Sequence, residues 1–433
     1  MESDSNLRSS NMNWSLPVDL STSGEDGRDP KIVSTAEGGL VCIWHWGTLF
    51  GTPWRVQVSS LAPGASRWSA PVDLTDGSRM AFAPQVTMTP DGMLAAIWVG
   101  FDGRNLRIHV CTLAPGADRW STPVMLSDSA PMDANALLWE AKDPQIVATS
   151  GGTLAATWSR LDGVWVSTLS DGHTHWSTPS KLADDGTSDG GGPHIVAGPE
   201  GSLATIWATF GAVQVSILAA SSQSWSAPVD LCDVSGNGKS PQIAATPDGG
   251  LVAIWSRPDN GNYRVQVASI ADGAGHWSTP ADLTSAGEQA HDPQIIATSS
   301  GIVAGAWTKW EGGPYSAHNF RVQIAIRAAG TTMWSAPFNL TVEGIPSQRV
   351  QLAASAEGTI AAIWLRSDGQ HRRVQVATLR MGGTAWSTPI DLSAPGGNAA
   401  DPQIAAAPDG TLLATWTRND GTNDRVQVST LRG

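Results

Sequence analysis

The chain has 433 residues, of which 46 Gly and 27 Pro make about one in six, a density of turn-formers that excludes an architecture of long helices. Charged residues are only 15% and tryptophans number 21, which excludes long disordered stretches. With 26 basic against 39 acidic residues the formal charge is −13, the wrong sign for a partner gripped through phosphates, so no nucleic acid is expected.

The chain opens with MESDSNLRSSNMNWS, which has no apolar stretch behind a basic start, and no later run approaches the ~18 apolar residues of a membrane span. No membrane partner is expected. The address expected by default is cytoplasmic, unless export takes another route or a signal has been removed. Cys42, Cys111 and Cys232 neither make a complete disulfide set nor stand at ligand spacing, and the nine histidines are scattered. Neither a metal nor a cofactor is expected.

The first element is a fourth-strand string, Trp14-Ser-x-Pro-Val-Asp-Leu20, and it recurs. Trp-Ser-x-Pro begins at Trp14, Trp68, Trp120, Trp176, Trp225, Trp277, Trp334 and Trp386, with gaps of 54, 52, 56, 49, 52, 57 and 52 residues. Two further strings fill each unit. One resembles Pro-Gln-Ile-x-Ala-x-Pro-Asp-Gly-x-Leu-Ala-x-Ile-Trp, as at 241 to 255, and the other reads Arg-Val-Gln-Val-x-Thr-Leu, as at 425 to 431.

Each unit therefore predicts four short strands. The first two flank a Pro-Asp-Gly turn, where Gly supplies positive φ. The second, such as Leu251 to Trp255, is apolar at every position and so is covered on both faces. The fourth contains Pro and belongs at an edge. At its end, the chain stops just after a third strand, and its start supplies the missing fourth.

The predicted fold is all-β: a single eight-bladed β-propeller over 1–433, with four antiparallel strands per blade, closed by the N-terminal strand completing the last blade. Blade boundaries are expected at about 30–74, 84–126, 144–182, 193–231, 241–283, 293–340, 350–392 and 402–431 plus 14–20. The sixteen repeated tryptophans read as blade packing.

The turns before the fourth strand, such as Leu169-Ser-Asp-Gly-His-Thr-His-Trp176 and Ile270-Ala-Asp-Gly-Ala-Gly-His-Trp277, resemble degenerate Asp-box (BNR) repeats of the sialidase-like propellers. The resemblance covers nearly the whole chain. It implies a propeller and, by extension, glycoside hydrolysis through an arginine triad, a Tyr/Glu nucleophile pair and an Asp acid. Here Asp stands in two units, Asp171 and Asp272, the tyrosines are Tyr263 and Tyr315 alone, and no Phe-Arg-Ile-Pro-like string occurs near the start.

Spacing gives the functional clue. From the first-strand Pro (Val350 in one unit) to the second-strand Trp the distance is always 14, and from the third-strand start to the next Trp-Ser it is always 13 where measurable. The other two connections vary: 11, 9, 5, 5, 9, 14, 9, 9 between the second-strand Trp and the third strand, and 16, 16, 24, 17, 16, 16, 16, 16 from Trp-Ser to the next first strand. In an antiparallel blade both variable connections lie on one face of the disc. Insertions confined to one face mark the binding face of a repeat scaffold.

Those insertions are aromatic. They hold His45, Trp46, Phe50 and Trp54; then Asp133, Trp139 and Glu140; then Trp310, Glu311, Tyr315, His318 and Phe320. Indole stacks on the C–H face of a pyranose while polar neighbours take its hydroxyls. Trp46, Trp54, Trp139, Trp310, Tyr315, His318 and Arg321 are thus ligand-binding candidates, weighed against pinning their own loops onto the disc. Were the protein a hydrolase, a carboxylate pair about 5 to 10 Å apart would be required. The candidates are Glu311, Glu140 and Asp133, with Tyr315 as a nucleophile. Third-strand arginines in six units and the Asp before Pro in four suggest a ring of ion pairs between neighbouring blades.

The expected function is a lectin-like, carbohydrate-binding module, monomeric, taking a glycan or other small polar ligand. The alternatives are a sialidase-like glycoside hydrolase or lyase and a protein-binding scaffold.

Overall fold

The computed structural model describes residues 14–47, 54–127, 141–184, 192–232, 238–311, 319–383 and 385–432. They form eight four-stranded antiparallel sheets, with one short 3-10 turn at Pro199–Gly201. Blades one to seven span residues 27–73, 81–125, 142–181, 194–230, 239–282, 289–339 and 347–391. The eighth takes three strands from residues 399–431 and its fourth from Val18–Asp19, with Val18 opposite Val428 and Asp19 opposite Gln427. Every first strand touches the first strands of both neighbours, from blade one round to blade eight and back. First strands are therefore innermost and the ring is closed, an eight-bladed propeller.

Each repeated residue has a mechanical reason. The eight second-strand tryptophans, Trp44, Trp98, Trp158, Trp207, Trp255, Trp307, Trp364 and Trp416, are the largest fully buried side chains. In blades one, four, six and eight the indole N–H donates to the third-strand Gln; in blade six Trp307 donates to the Gln323 amide oxygen (3.0 Å) and the Gln323 amide donates to Asn339 on the fourth strand (3.0 Å). One chain of hydrogen bonds thus ties three strands. In blade three the Gln is Trp165, and the Trp158 indole N–H is left without a partner. The Ser of Trp-Ser-x-Pro donates its N–H to a third-strand carbonyl and accepts a third-strand N–H on its hydroxyl, as Ser69 does with Ser60 at 2.7 and 3.0 Å. Only two fourth-strand residues per blade join the ladder, so the outer edge is short.

First strands begin earlier than expected. In seven blades the ladder runs past the Pro (Val350 in blade seven) through a bulge, for example between His291 and Gln294, with one residue in the left-handed region: Asp29, Ala83, Asp143, Ser240, Asp292, Arg349 and Asp401, at φ 49 to 53° except Arg349 at 57°. A bulge leaves the Pro off the ladder, so a residue with no N–H sits inside a central position without a lost bond. The topology puts the turns of constant length on one face of the disc. The variable connections lie on the other, and the bulges stand at that same variable end of the channel.

Candidate functional site

Most charged pairs on the variable face lie within a blade, with the pairs of Arg28 with Asp424 and Arg349 with Asp401 crossing between neighbours. The third-strand arginines pair with the fourth-strand carboxylate or with the turn between strands two and three of their own blade: Arg55 with Asp73 (3.0 Å), Arg107 with Asp102 (2.8 Å), Arg264 with Asp282 (2.8 Å), Arg373 with Asp368 (3.8 Å) and Arg425 with Asp420 (3.6 Å). This corrects the expected inter-blade ring: of the Asp residues before Pro, Asp29, Asp292 and Asp401 line the channel mouth and Asp143 accepts from the Ser159 hydroxyl of its own blade at 3.1 Å. Hydrogen bonds from Arg107 and two backbone amides outweigh the cost of burial on Asp102 and hold its carboxyl at about 2.

At the mouth of the channel Asp29, Asp292, Asp401, Arg349 and the glutamines Gln294, Gln351 and Gln403 line a cavity of about 370 Å³. Arg349 and Asp401 of adjacent blades approach to 3.6 Å, and Lys31 pairs with Asp29. No group of three or more metal-binding side chains occurs among the described residues.

From this mouth a ladder of rings runs outward along the seam between blades five and six. His291, next to the channel residue Asp292, lies 5.0 Å from the Tyr263 ring and 5.0 Å from Trp310, and Trp310 meets the edge of Phe320 at 5.2 Å. The Lys239 ammonium sits 5.2 Å over the Tyr263 ring. Register explains the assembly. Tyr263 is the second residue of the third strand of blade five, His291 stands two before the first-strand Pro of blade six, and Trp310 and Phe320 face each other where that blade's second and third strands meet the variable face. Burial pushes the His291 imidazole down, the Lys239 charge pushes the same way, and Asp292 opposes both. His291 is thus an uncharged ring in the stack. Trp310 remains 38% exposed.

The charges flanking the ladder are satisfied. Lys309 pairs with Glu288 at 2.6 Å, and Arg321 holds Glu311 at 2.7 Å and Glu343 at 2.8 Å.

Of the candidates read from the sequence, Trp310, Glu311 and Arg321 meet on this sector. Trp54 belongs to the seam between blades one and two, stacked on His45 at 5.1 Å and meeting Phe82 edge-on at 5.8 Å. Trp46 lies elsewhere. It packs against the core between blades eight and one, with the Arg55 guanidinium 5.1 Å above its ring. Tyr315, His318, Trp139, Glu140 and Asp133 lie outside the described residues. Sequence reading missed Tyr263 and His291 as members of the site, since neither sits in an insertion. Aligning the units on the third-strand Arg and the first-strand Pro exposes both.

No family model and no curated protein matches this chain. Among solved structures it is similar to a protein of unknown function from Dyadobacter fermentans (13% identity, 97% of this chain and 99% of that one, TM-score 0.49). It is similar also to an α-L-arabinofuranosidase of Fusarium graminearum (13%, 97% and 98%, TM-score 0.45) and to the NanB sialidase of Streptococcus pneumoniae (10%, 91% and 84%, TM-score 0.44). These last two neighbours are glycoside hydrolases built as propellers. Among the described residues, no helix is long and apolar enough to cross a membrane.

Proposed function

We propose that this protein binds neutral saccharides on its variable face, with the Trp310 indole as the stacking platform. The observation that carries the reading is the ladder itself: an exposed indole braced by His291 and Phe320, with ion pairs on either side whose cations are already committed to carboxylates. An aromatic face takes the C–H side of a pyranose, and oriented carboxylate and guanidinium groups take its hydroxyls. Neutral sugars fit better than acidic ones because both cations, Lys309 and Arg321, are already committed to Glu288, Glu311 and Glu343, leaving no positive charge for an anionic sugar.

The test is titration calorimetry with lactose, cellobiose, L-fucose and methyl α-D-mannoside. At least one binds the intact protein, and Trp310→Ala weakens it about tenfold or more, the equivalent of ~1.4 kcal/mol. Unchanged affinity in Trp310→Ala removes the platform from the reading.

Hydrolysis is the second reading, and a specific placement favours it. Glu311 directly follows Trp310, and Asp292, which directly follows His291, lines the channel mouth, so a carboxylate neighbours each of these two rings in the chain. Glu311 is fixed in place by its 2.7 Å pair with Arg321. Release of reducing sugar from a bound oligosaccharide, lost in Glu311→Gln with binding intact, favours this reading over simple binding; absence of release by the intact protein eliminates it.

A further inference from the structure

We infer that the propeller carries a second saccharide site of the same class at the seam between blades one and two, which makes the variable face bivalent. The inference rests on the reading of the blade five to six ladder as a saccharide site.

Strand register makes the two seams comparable residue by residue. Trp54 stands where Tyr263 does, one before the third-strand Arg of the leading blade. Phe82 stands where His291 does, two before the first-strand Pro of the following blade. Phe101 and Leu106 oppose each other across the second and third strands of blade two as Trp310 and Phe320 do in blade six. The quartet Trp54, Phe82, Phe101 and Leu106 thus repeats the quartet Tyr263, His291, Trp310 and Phe320.

The repetition is selective. At the first two of these positions the other seams carry Leu106 and Lys142, Gly211 and Lys239, Phe320 and Gln348, Arg372 and Ala400, and Asp424 and Arg28. Among the described seams only these two hold paired rings. They are four blades apart in a ring of eight, half a turn round the disc. A core requirement would recur in every blade.

The chemistry around the second quartet matches the first. Trp54, Phe82, Phe101 and Leu106 are half-buried, so each keeps an exposed edge. Flanking charges are again committed, Arg55 to Asp73 at 3.0 Å and Arg107 to Asp102 at 2.8 Å, while Arg79 donates to the Asp102 carbonyl. A neutral sugar is the occupant such a surface selects. Because the two seams lie across the disc from each other and open on one face, a polymer or cell surface bearing many copies of the sugar engages both, and avidity exceeds the affinity of either site.

Calorimetry with lactose, cellobiose, L-fucose and methyl α-D-mannoside tests the inference through stoichiometry. For the saccharide that binds, the intact protein takes two per chain. Trp310→Ala and Trp54→Ala each leave one, and the double variant leaves none. Phe101→Ser at the mouth of the same seam repeats the Trp54 result should Trp54→Ala fail to fold. Retention of that sugar's polyacrylamide conjugate on a sensor surface falls at least tenfold in either single variant. One saccharide per chain, unaffected by Trp54→Ala and Phe101→Ser, overturns bivalence and leaves the first site standing. No binding by any of the four sugars overturns both.

Discussion

The seam that closes the ring and the seam that carries the ladder use the same two backbone positions for opposite ends. Between blades eight and one, those positions hold Asp424 and Arg28, an ion pair at 2.7 Å, with Asp26 accepting the Asp424 N–H at 2.8 Å. Between blades five and six they hold Tyr263 and His291, two rings 5.0 Å apart. Below both, the packing is alike: buried Trp, Ile, Val and Leu side chains interlock from blade to blade. The scaffold fixes where a side chain stands at the variable rim, and packing does not dictate which one. That freedom separates rim from core, and the rim is where binding chemistry can be placed without disturbing the ring.

The sharpest way to break this contrast lies within one strand. Trp307 and Trp310 are three residues apart in blade six, the first fully buried and hydrogen-bonded to Gln323, the second exposed. Truncating a buried Trp leaves a large cavity, so Trp307→Ala is expected to cost about 4 kcal/mol. Trp310→Ala is expected to cost under about 1 kcal/mol. Chemical denaturation of the two variants measures the difference, and equal losses would make Trp310 a core residue and end its candidacy as a platform.

Acid sharpens the comparison from the other side. His45 and His194 are half-buried, and desolvation of their rings holds both imidazoles down at about 4 against an ordinary value of 6.5. His194 accepts the Ile243 N–H on Nδ1 at 3.4 Å, the arrangement of a neutral ring. A group whose folded pKa is depressed contributes stability that is whole above its unfolded pKa and is lost as pH falls toward the folded one. The window is therefore pH 6.5 down to about 4. Over it each histidine removes on the order of 3 kcal/mol. In His194→Gln the fall in stability across that window becomes shallower than in the parent; identical acid profiles would show that His194 titrates normally. Burial lowers His291 in the same direction.

Much of this was legible in the sequence, for a physical reason: strand patterning, Pro-Asp-Gly turns and invariant spacings are local. Eight units, a missing fourth strand at one end and a surplus third at the other imply closure before any coordinates exist. What the text hid is non-local. Asp292-Pro293 reads as a strand start, yet the ladder continues through a left-handed bulge to Gln289. Arg55 and Asp73 pair across strands three and four instead of across a seam. Tyr263 and His291 come from different blades, and only the ring brings them together. Nothing in the loop lengths distinguishes them, because both stand on strands of constant position.

The smallest expected effect concerns the closing seam itself. Arg28 is 40% exposed and its pair with Asp424 faces water, so the gain from Coulomb attraction is offset by side-chain ordering and weakened by salt. Closure has other supports: the Val18 to Val428 and Asp19 to Gln427 pairings, the Leu20 N–H donated to the Val426 carbonyl at 2.8 Å, and the buried Leu20 side chain. None of these involves Arg28. Arg28→Ala is therefore expected to cost under about 1 kcal/mol, a loss that shrinks further at high ionic strength. Denaturation of the variant at low and high salt measures both. A loss approaching that of Trp307→Ala would mean that the ring is held shut by charge at its rim, and the division between a packed core and a freely varied rim would fail at the one seam where the chain's two ends meet.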